Sequence, residues 1–424
     1  MKDSDLAAFV THVLPASLIE SLAREHGALR RQRTVWLAPL VWVLVLGALD
    51  ASAGALAHFW RLYCVHTGAR VARSSFYQRL SPALAEVMAA LLARALRAQR
   101  RALPHWLTQH VELEGVLAVD SSVVRLRDGL RDAYTACAKA QSALKLHAIV
   151  NVLDFQLHQV RLSSQTEADV TGTRRVRQWC RRKLVLMDLG YYKFATFAAI
   201  DQAGGFFVSR AKAGLAARIV ADHSPCQGGV DLVDVRLTRA LRRVRRHVLD
   251  VDLALVRREE GREQRAVVRA VGIWDAQEGR HRVHLTNLDR ARYPAREIGP
   301  LYRLRWGVEL VFKQLKSDVH VDRQTSAKEH IVRLRMDSAL LAYCLTGRLC
   351  ARLQRADTGR PYPVSRGLRA LSVLVPRLLD DLCAPWATAR SLGSLFAQMT
   401  RDPNEERARA YDPLLNVSDL RWAV

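Results

Sequence analysis

A change of texture at Gly115 constrains this chain more than any other feature. The residues before it read as Ala- and Leu-rich helices without a repeat. Beyond it, Val116-Leu117-Ala118-Val119 is an unbroken apolar run closed by Asp120, and Val123-Val124 continue it. Residues 144–153 and 155–162 read as two further strands joined tightly around Asp154, the pattern of a hairpin. Residues 167–180 predict a helix carrying Arg174, Arg175 and Arg177, and a fourth apolar run, Leu184-Val185-Leu186-Met187, ends at Asp188. Three strands, a helix and a strand predict an α/β chain built on a mixed sheet, with two of its strands ending in a carboxylate.

That order of elements is the opening half of a ribonuclease H-like mixed sheet, a comparison of topology alone. Residues 206–288 interrupt it with alternating segments at 230–237, 248–256 and 265–273, which read as a β-rich insertion. From 295 to about 354 the pattern is helical again. Pro361, Pro363 and Pro376 mark loops, and residues 392–399 read as a last short helix. The expected organisation is a helical region at 1–110, a core at 111–205, the insertion at 206–288, a second core segment at 289–345 and a helical C-terminal region at 346–424.

Charge narrows the partners. Sixty-five Lys and Arg against 41 Asp and Glu leave a formal net charge of +24. Arg dominates, and its fork suits phosphate, so nucleic acid is the first polyanion to consider, with a merely soluble basic enzyme as the alternative. Basic clusters stand at Arg30-Arg31-Gln32-Arg33, at Arg70, Arg73, Ser74, Ser75, Tyr77 and Arg79 around a helix start at Ser74 or Ser75, and at residues 239–247, the densest run. Such runs serve DNA or simply solvate a face. Seven cysteines without a C-x-x-C pair argue for buried thiols in a reducing compartment rather than a zinc or disulfide framework. Residues 35–49, with Pro39 inside, are shorter than the roughly 20 residues a membrane span needs, and Met1-Lys2-Asp3 does not open a secretory signal. A soluble, cytoplasmic protein without a membrane partner is expected. No G-x-x-x-x-G-K-S/T loop is present, so no nucleotide cofactor is expected, and G-x-S-x-G and H-E-x-x-H are absent as well.

The sharpest local feature surrounds Glu309. Read as one helix, Tyr302, Arg305, Glu309 and Lys316 fall within a sector of about 60°, with Lys313 and Trp306 on its border. Leu301, Leu304, Val308, Val311 and Leu315 form the opposite, core-facing stripe. An acid among cations and a phenol suits a metal-bound phosphate; surface pairs of Glu309 with Lys313 or Lys316 explain the same residues without function. Asp120 and Asp188, each closing a hydrophobic strand, tip the balance. With Glu309 they form an oxygen-only donor set of the kind that Mg²⁺ or Mn²⁺ takes.

Tyr302-x-x-Arg305-x-x-x-Glu309-x-x-x-x-x-x-Lys316 resembles, spacing for spacing, the Y-(2)-R-(3)-E-(6)-K (YREK) signature of bacterial insertion-sequence transposases of the DDE class. Asp120 in V-L-A-V-D-S-S-V stands where that family's first catalytic aspartate stands. Asp188 in L-V-L-M-D-L-G-Y-Y matches the second, where D-x-G-Y/F is usual. The insertion, Leu285-Thr286-Asn287-Leu288 and Asp402-Pro403-Asn404 look similar too. Leu189 departs from the family, whose members often carry Arg there.

The resemblance implies that Asp120, Asp188 and Glu309 are catalytic and bind two Mg²⁺ ions, with Mn²⁺ as substitute. It implies phosphate contacts from Tyr302, Arg305 and Lys316, with Lys313 beside them on the DNA-binding face, and a base-stacking role for Trp306. Double-stranded DNA would be the partner, as terminal inverted repeats and as target. The 1–110 region would bind the ends, and the C-terminal region is a candidate for dimerisation in a homodimeric synaptic complex. A cut-and-paste transposase is the leading expectation. A metal-dependent endonuclease without strand transfer, and a non-catalytic DNA-binding protein, are the alternatives. Glu167 and Asp169 read as helix-start carboxylates, Lys145 and His147 as a DNA-touching or simply hydrophilic sheet face, and Asp154 as a turn residue. His320 has no partner spacing that suggests a metal.

Overall fold

The computed structural model describes residues 6–29, 35–69, 71–98, 112–138, 141–212, 214–224, 231–244, 248–259, 262–356 and 362–383. The Arg30–Arg33 cluster, Arg70, Pro361, residues 245–247 of the densest charge run, the 392–399 helix and Asp402-Pro403-Asn404 lie outside them.

Among the described residues six helices precede the sheet: α1 (Leu6–Val13), α2 (Ala16–Glu25), α3 (Leu37–Gly47), α4 (Leu56–Thr67), α5 (Arg73–Arg79) and α6 (Pro82–Arg97). The apolar run at 35–49 becomes α3, buried at every position except Pro39. Leu6–Glu25 is long and apolar enough to cross a membrane by length and composition, but it breaks at Leu14-Pro15 into α1 and α2. Helix α6 begins where its sequence says it should. Pro82 occupies the first turn and the Ser81 hydroxyl accepts from the Leu84 amide at 3.2 Å.

The sheet follows: β1 (Gly115–Arg125), β2 (Ala143–Asn151), β3 (Gln156–Ser164), β4 (Lys183–Met187), α7 (Phe194–Gln202), β5 (Phe206–Arg210), β6 (Arg218–Asp222), α8 (Leu237–Arg243), β7 (Leu249–Glu259), β8 (Arg262–Asp275) and β9 (Arg280–Thr286). The nine strands among the described residues form one sheet in the order β3-β2-β1-β4-β5-β9-β8-β7-β6. β1, β2 and β3 are antiparallel neighbours, while β4 runs parallel to β1 and β5 parallel to β4. This is the ribonuclease H-like core order. β5, counted above with the insertion, is by its register the last parallel strand of this core. The strands after it form antiparallel pairs that extend the same sheet through β9.

Both faces of the central strands are covered, which is why they read as continuous apolar runs. Val116, Ala118, Leu184 and Leu186 face the large core shared with the helices, whereas Leu117, Val119, Val185 and Met187 face a second core toward α7 and the insertion.

Four further described helices follow: α9 (Ala295–Arg303), α10 (Trp306–Ser317), α11 (Glu329–Ala356) and α12 (Val364–Cys383). α11 and α12 pack on α3, and α6 and α4 respectively, so the N- and C-terminal helices share one core. Pro376, expected in a loop, lies inside α12. The six described cysteines are free thiols, three of them buried.

The expected helix at 167–180 does not form. Two short 3₁₀ turns, Asp169–Thr173 and Val176–Gln178, take its place. The Thr171 and Thr173 hydroxyls bond back to the carbonyls of Ala168 and Val170 at 2.8 and 2.7 Å, which competes with helical bonding. Gly172 weakens the helix further, and Arg175 adopts φ 58°.

Candidate active site

β1 and β4 run parallel with Val119 opposite Met187. The next residues are therefore Asp120 and Asp188, side by side; Asp188 follows the end of β4, whereas Asp120, expected to close its strand, sits within β1, which runs on to Arg125 paired with β2. Alternation turns both toward the face that Ala118 and Leu186 occupy, the side covered by α10. Gly307 lets that helix approach closely, since a Cβ there would stand 3.1 Å from Val152 on the β2–β3 hairpin.

The signature segment is two helices rather than one. Around Leu304 and Arg305 the bonding tightens to three-residue spacing, with Arg305 N donating to Tyr302 O at 3.0 Å and Val308 N to Arg305 O at 3.1 Å. Three-residue winding stacks positions i and i+3, and the Arg305 guanidinium accordingly lies 6.0 Å from the Tyr302 ring centre. The expected core stripe of Leu301, Leu304, Val308, Val311 and Leu315 is buried throughout.

The site's acids meet through this segment. Arg305 donates from Nη2 to Glu309 Oε1 at 2.7 Å and from Nη1 to Asp120 Oδ2 at 3.3 Å. The Tyr302 hydroxyl donates to Asp188 Oδ1 at 3.3 Å, and its ring packs on His284 of β9 with centroids 4.8 Å apart. Asp120 Oδ1 also accepts from the Ser121 amide at 2.8 Å. Burial pushes the Asp120 carboxyl above the usual range; the Ser121 amide and Arg305 oppose that, while Glu309 and Asp188 reinforce it. Burial also raises the Tyr302 phenol, with Asp188 adding to it. For Arg305 burial works against the charge, but Glu309 first and then Tyr302, Asp188 and Asp120 raise it on balance.

Trp306 is 62% exposed, Lys313 exposed and Lys316 half-buried, along the same helix. Leu189 is exposed beside Asp188. Among the described residues no three His, Cys, Asp or Glu side chains stand close enough to hold a metal ion. The Arg305 guanidinium lies between Asp120 and Glu309 and neutralises them. The donor set nevertheless fits a hard divalent cation. It offers carboxylate oxygens only, and mutual repulsion at Asp120 is what a cation would relieve.

Other expectations need correction. Lys145 and His147 do not face DNA but are 8% and 3% exposed, inside the second face of the sheet. Burial first, then Arg161 and Lys145, lower the His147 imidazole to about 4. Glu167 and Asp169 cap no helix: Glu167 pairs with Arg161, and Asp169 with Lys145. Asp154 is a turn residue as expected, accepting from the Gln156 amide at 3.1 Å. Leu285-Thr286-Asn287 is a strap. Thr286 Oγ1 donates to Phe207 O at 2.7 Å, and Asn287 Oδ1 accepts from the Phe207 amide at 2.9 Å, tying the end of β9 to β5 before α9 begins. His284 was missed altogether, because nothing in its alternating strand distinguishes it from its neighbours.

An α/β chain with a ribonuclease H-like sheet, whose adjacent parallel strands carry an aspartate each just beyond their last paired residues, near a helix-borne glutamate, is the class that fold and site define. Residues 112–345, more than half of the chain, match the Transposase DDE domain, and the chain belongs to that family. It is similar to y4zB of Sinorhizobium fredii (strain NBRC 101917 / NGR234), a protein whose name assigns it to the transposases, at 26% identity over 174 residues, 40% of this chain and 43% of that one. It is also similar to the transposase for insertion sequence element IS421 of Escherichia coli, at 37% identity over 62 residues, 15% of this chain and 17% of that one. The chain thus matches less than half the length of these relatives. Among solved structures it is similar to a piggyBac transposase synaptic complex with hairpin DNA, with TM-score 0.49 and 10% identity, covering 96% of this chain and 89% of that one.

Proposed function

We propose that this DDE transposase cuts and pastes DNA. It binds the terminal inverted repeats of its element as a homodimer, cleaves at the element ends and joins them to target DNA, in the cytoplasm and without a nucleotide cofactor. The observation that supports this reading is the convergence of Asp120, Asp188, Tyr302, Arg305 and Glu309 on one spot.

Asp120, Asp188 and Glu309 would hold the divalent ions, Mg²⁺ or Mn²⁺. When bound, these supply an activated water or DNA 3′-hydroxyl and charge stabilisation at the leaving oxygen of an in-line displacement. Arg305, now bridging Asp120 and Glu309, is the cation nearest the reacting phosphate. Once those carboxylates are otherwise engaged, its fork turns to phosphate oxygens. Tyr302 keeps its proton throughout, since burial and Asp188 hold the phenol far above neutral pH, so it acts as a hydrogen-bond donor. Lys313 and Lys316 extend the positive face along α10, and Trp306 offers a free indole on which an unpaired base stacks.

The test is cleavage of linear DNA carrying the element's own flanking ends, with Mg²⁺ against EDTA and Glu309→Ala as control. Metal-dependent cuts at the element boundary that vanish in the variant are expected. Near-normal cutting by Glu309→Ala would overturn the site assignment.

A further inference from the structure

On the face of the sheet opposite the three acids, a second polar group is packed directly behind them. Asp169 Oδ1 accepts from the Ser121 hydroxyl at 2.8 Å and from the Lys145 ammonium at 2.9 Å. The same ammonium donates to Glu167 O at 2.6 Å, so the lysine is fixed from two sides. Asp169 Oδ2 stands 3.4 Å from where a Cβ on Gly190 would be, and the Asp169–Thr173 turn packs on β1, on β2 and on the Leu189–Tyr191 turn.

These contacts touch the residues next to both aspartates. Ser121 follows Asp120 and binds in two directions: its amide donates to Asp120 Oδ1 at 2.8 Å, and its hydroxyl donates to Asp169. Gly190 lies two residues beyond Asp188, and its lack of a side chain lets Asp169 approach that turn. One carboxylate, neutralised by a buried lysine, therefore bears on the residues that carry Asp120 and Asp188. None of these groups is directed at the reacting face, so a direct role there is not what the geometry describes.

We propose that Asp169, anchored by Lys145, is a positioning residue that aligns Asp120 through Ser121 and Asp188 through the Gly190 turn. The inference rests on the metal-binding reading of Asp120, Asp188 and Glu309. Supporting groups behind metal ligands typically contribute 10- to 100-fold in metal affinity.

The experiment titrates the full-length protein with Mn²⁺ and follows free Mn²⁺ by electron paramagnetic resonance, with the unfolding midpoint recorded for each variant. Asp169→Asn keeps the shape and removes the charge. About tenfold or weaker Mn²⁺ binding is expected, with DNA affinity in EDTA unchanged. Ser121→Ala, a smaller change at a half-buried site, is expected to weaken Mn²⁺ binding in the same direction, and the double variant to lose little more than the worse single one. If Asp169→Asn fails to fold, Ser121→Ala decides alone. Wild-type affinity in the folded variants, or losses that simply add, would overturn the inference while leaving the site reading intact. A wild-type protein that takes up no Mn²⁺, with or without DNA, would overturn the site reading itself.

Discussion

Arg305→Met isolates the part of the site that the geometry exposes most clearly. The side chain is 10% exposed and faces Asp120 at 26% and Glu309 at 40%. Opposite charges at contact are worth about 4 kcal/mol each at an effective dielectric of about 20. The Glu309 contact is open enough to solvent to retain less than about 1 kcal/mol. Removing the guanidinium also relieves its own burial, and its Nε has no hydrogen-bond partner. A net loss of about 2 kcal/mol at pH 8 remains, mostly from leaving Asp120 facing two like charges. Burial already holds the folded Asp120 carboxyl above its unfolded value, and losing Arg305 raises it further. A folded-state value above the unfolded one costs stability as pH rises, so the deficit should shrink toward pH 5 and grow toward pH 8. Excess Mg²⁺ or Mn²⁺ should stabilise the variant, by about 2.7 kcal/mol at a hundredfold excess over its Kd, and the wild type less, because there Arg305 already occupies the carboxylates. Urea unfolding at both pH values, with and without the divalent ion, measures all of this. A deficit indifferent to both pH and metal would refute the reasoning and reduce Arg305 to a packing residue.

Other outcomes follow from the same geometry. Asp120→Asn and Asp188→Asn should each abolish cleavage while leaving binding to end DNA intact, as gel shift and cleavage assays on one substrate will show. Trp306→Ala should leave the unfolding midpoint unchanged, because the indole is 62% exposed, yet weaken the cleavage complex by about 1–3 kcal/mol if it stacks on a base; unaltered cleavage and binding would remove that role. Burial, partly offset by Arg333 and reinforced by Glu86, raises the Asp337 carboxyl in α11 to about 7. Wild-type stability should therefore fall as pH rises through about 4 to 7, and Asp337→Asn should be more stable by up to about 4 kcal/mol at pH 8 with no gain near pH 4; equal denaturation midpoints at pH 8 would contradict this.

What could be read from the sequence was what is local. The strands of the core and the core stripe of the signature segment depend on periodicities of two and about 3.6 residues, and both survive in the structure. The break at Leu304 and Arg305 escaped notice because both residues keep helical dihedral angles and only the hydrogen bonds shorten their spacing. Lys145 and His147 misled for a different reason. Charged residues on an alternating strand ordinarily mark a wet face, and only a tertiary partner such as Asp169 makes burial of a lysine tolerable. Asp169 in turn looked like a helix-start acid, since no local rule distinguishes an acid that caps a turn from one that braces a neighbouring strand.

The acidic site itself belongs to neither category. Arg305 and Asp120 are 185 residues apart in the chain, and no periodicity links them. Their meeting depends on three separate devices. The parallel register of β1 with β4 aligns the two aspartates, and the Thr286 and Asn287 strap returns the chain to β5 after the long antiparallel excursion. Buried Arg269 then holds Asp250 on β7 and the carbonyls of Leu288 and Tyr293 together, fixing the approach to α9. The second and third devices use backbone groups and an ion pair on other strands than those that carry the aspartates. The insertion can therefore vary in its outer strands without moving Glu309, provided that the β5–β9 pairing and the Arg269 junction are kept. That separation explains why a short spacing motif on two successive helices can mark a site whose other members lie so far away in sequence: the motif keeps Tyr302, Arg305 and Glu309 together, and the sheet brings Asp120 and Asp188 to them by register.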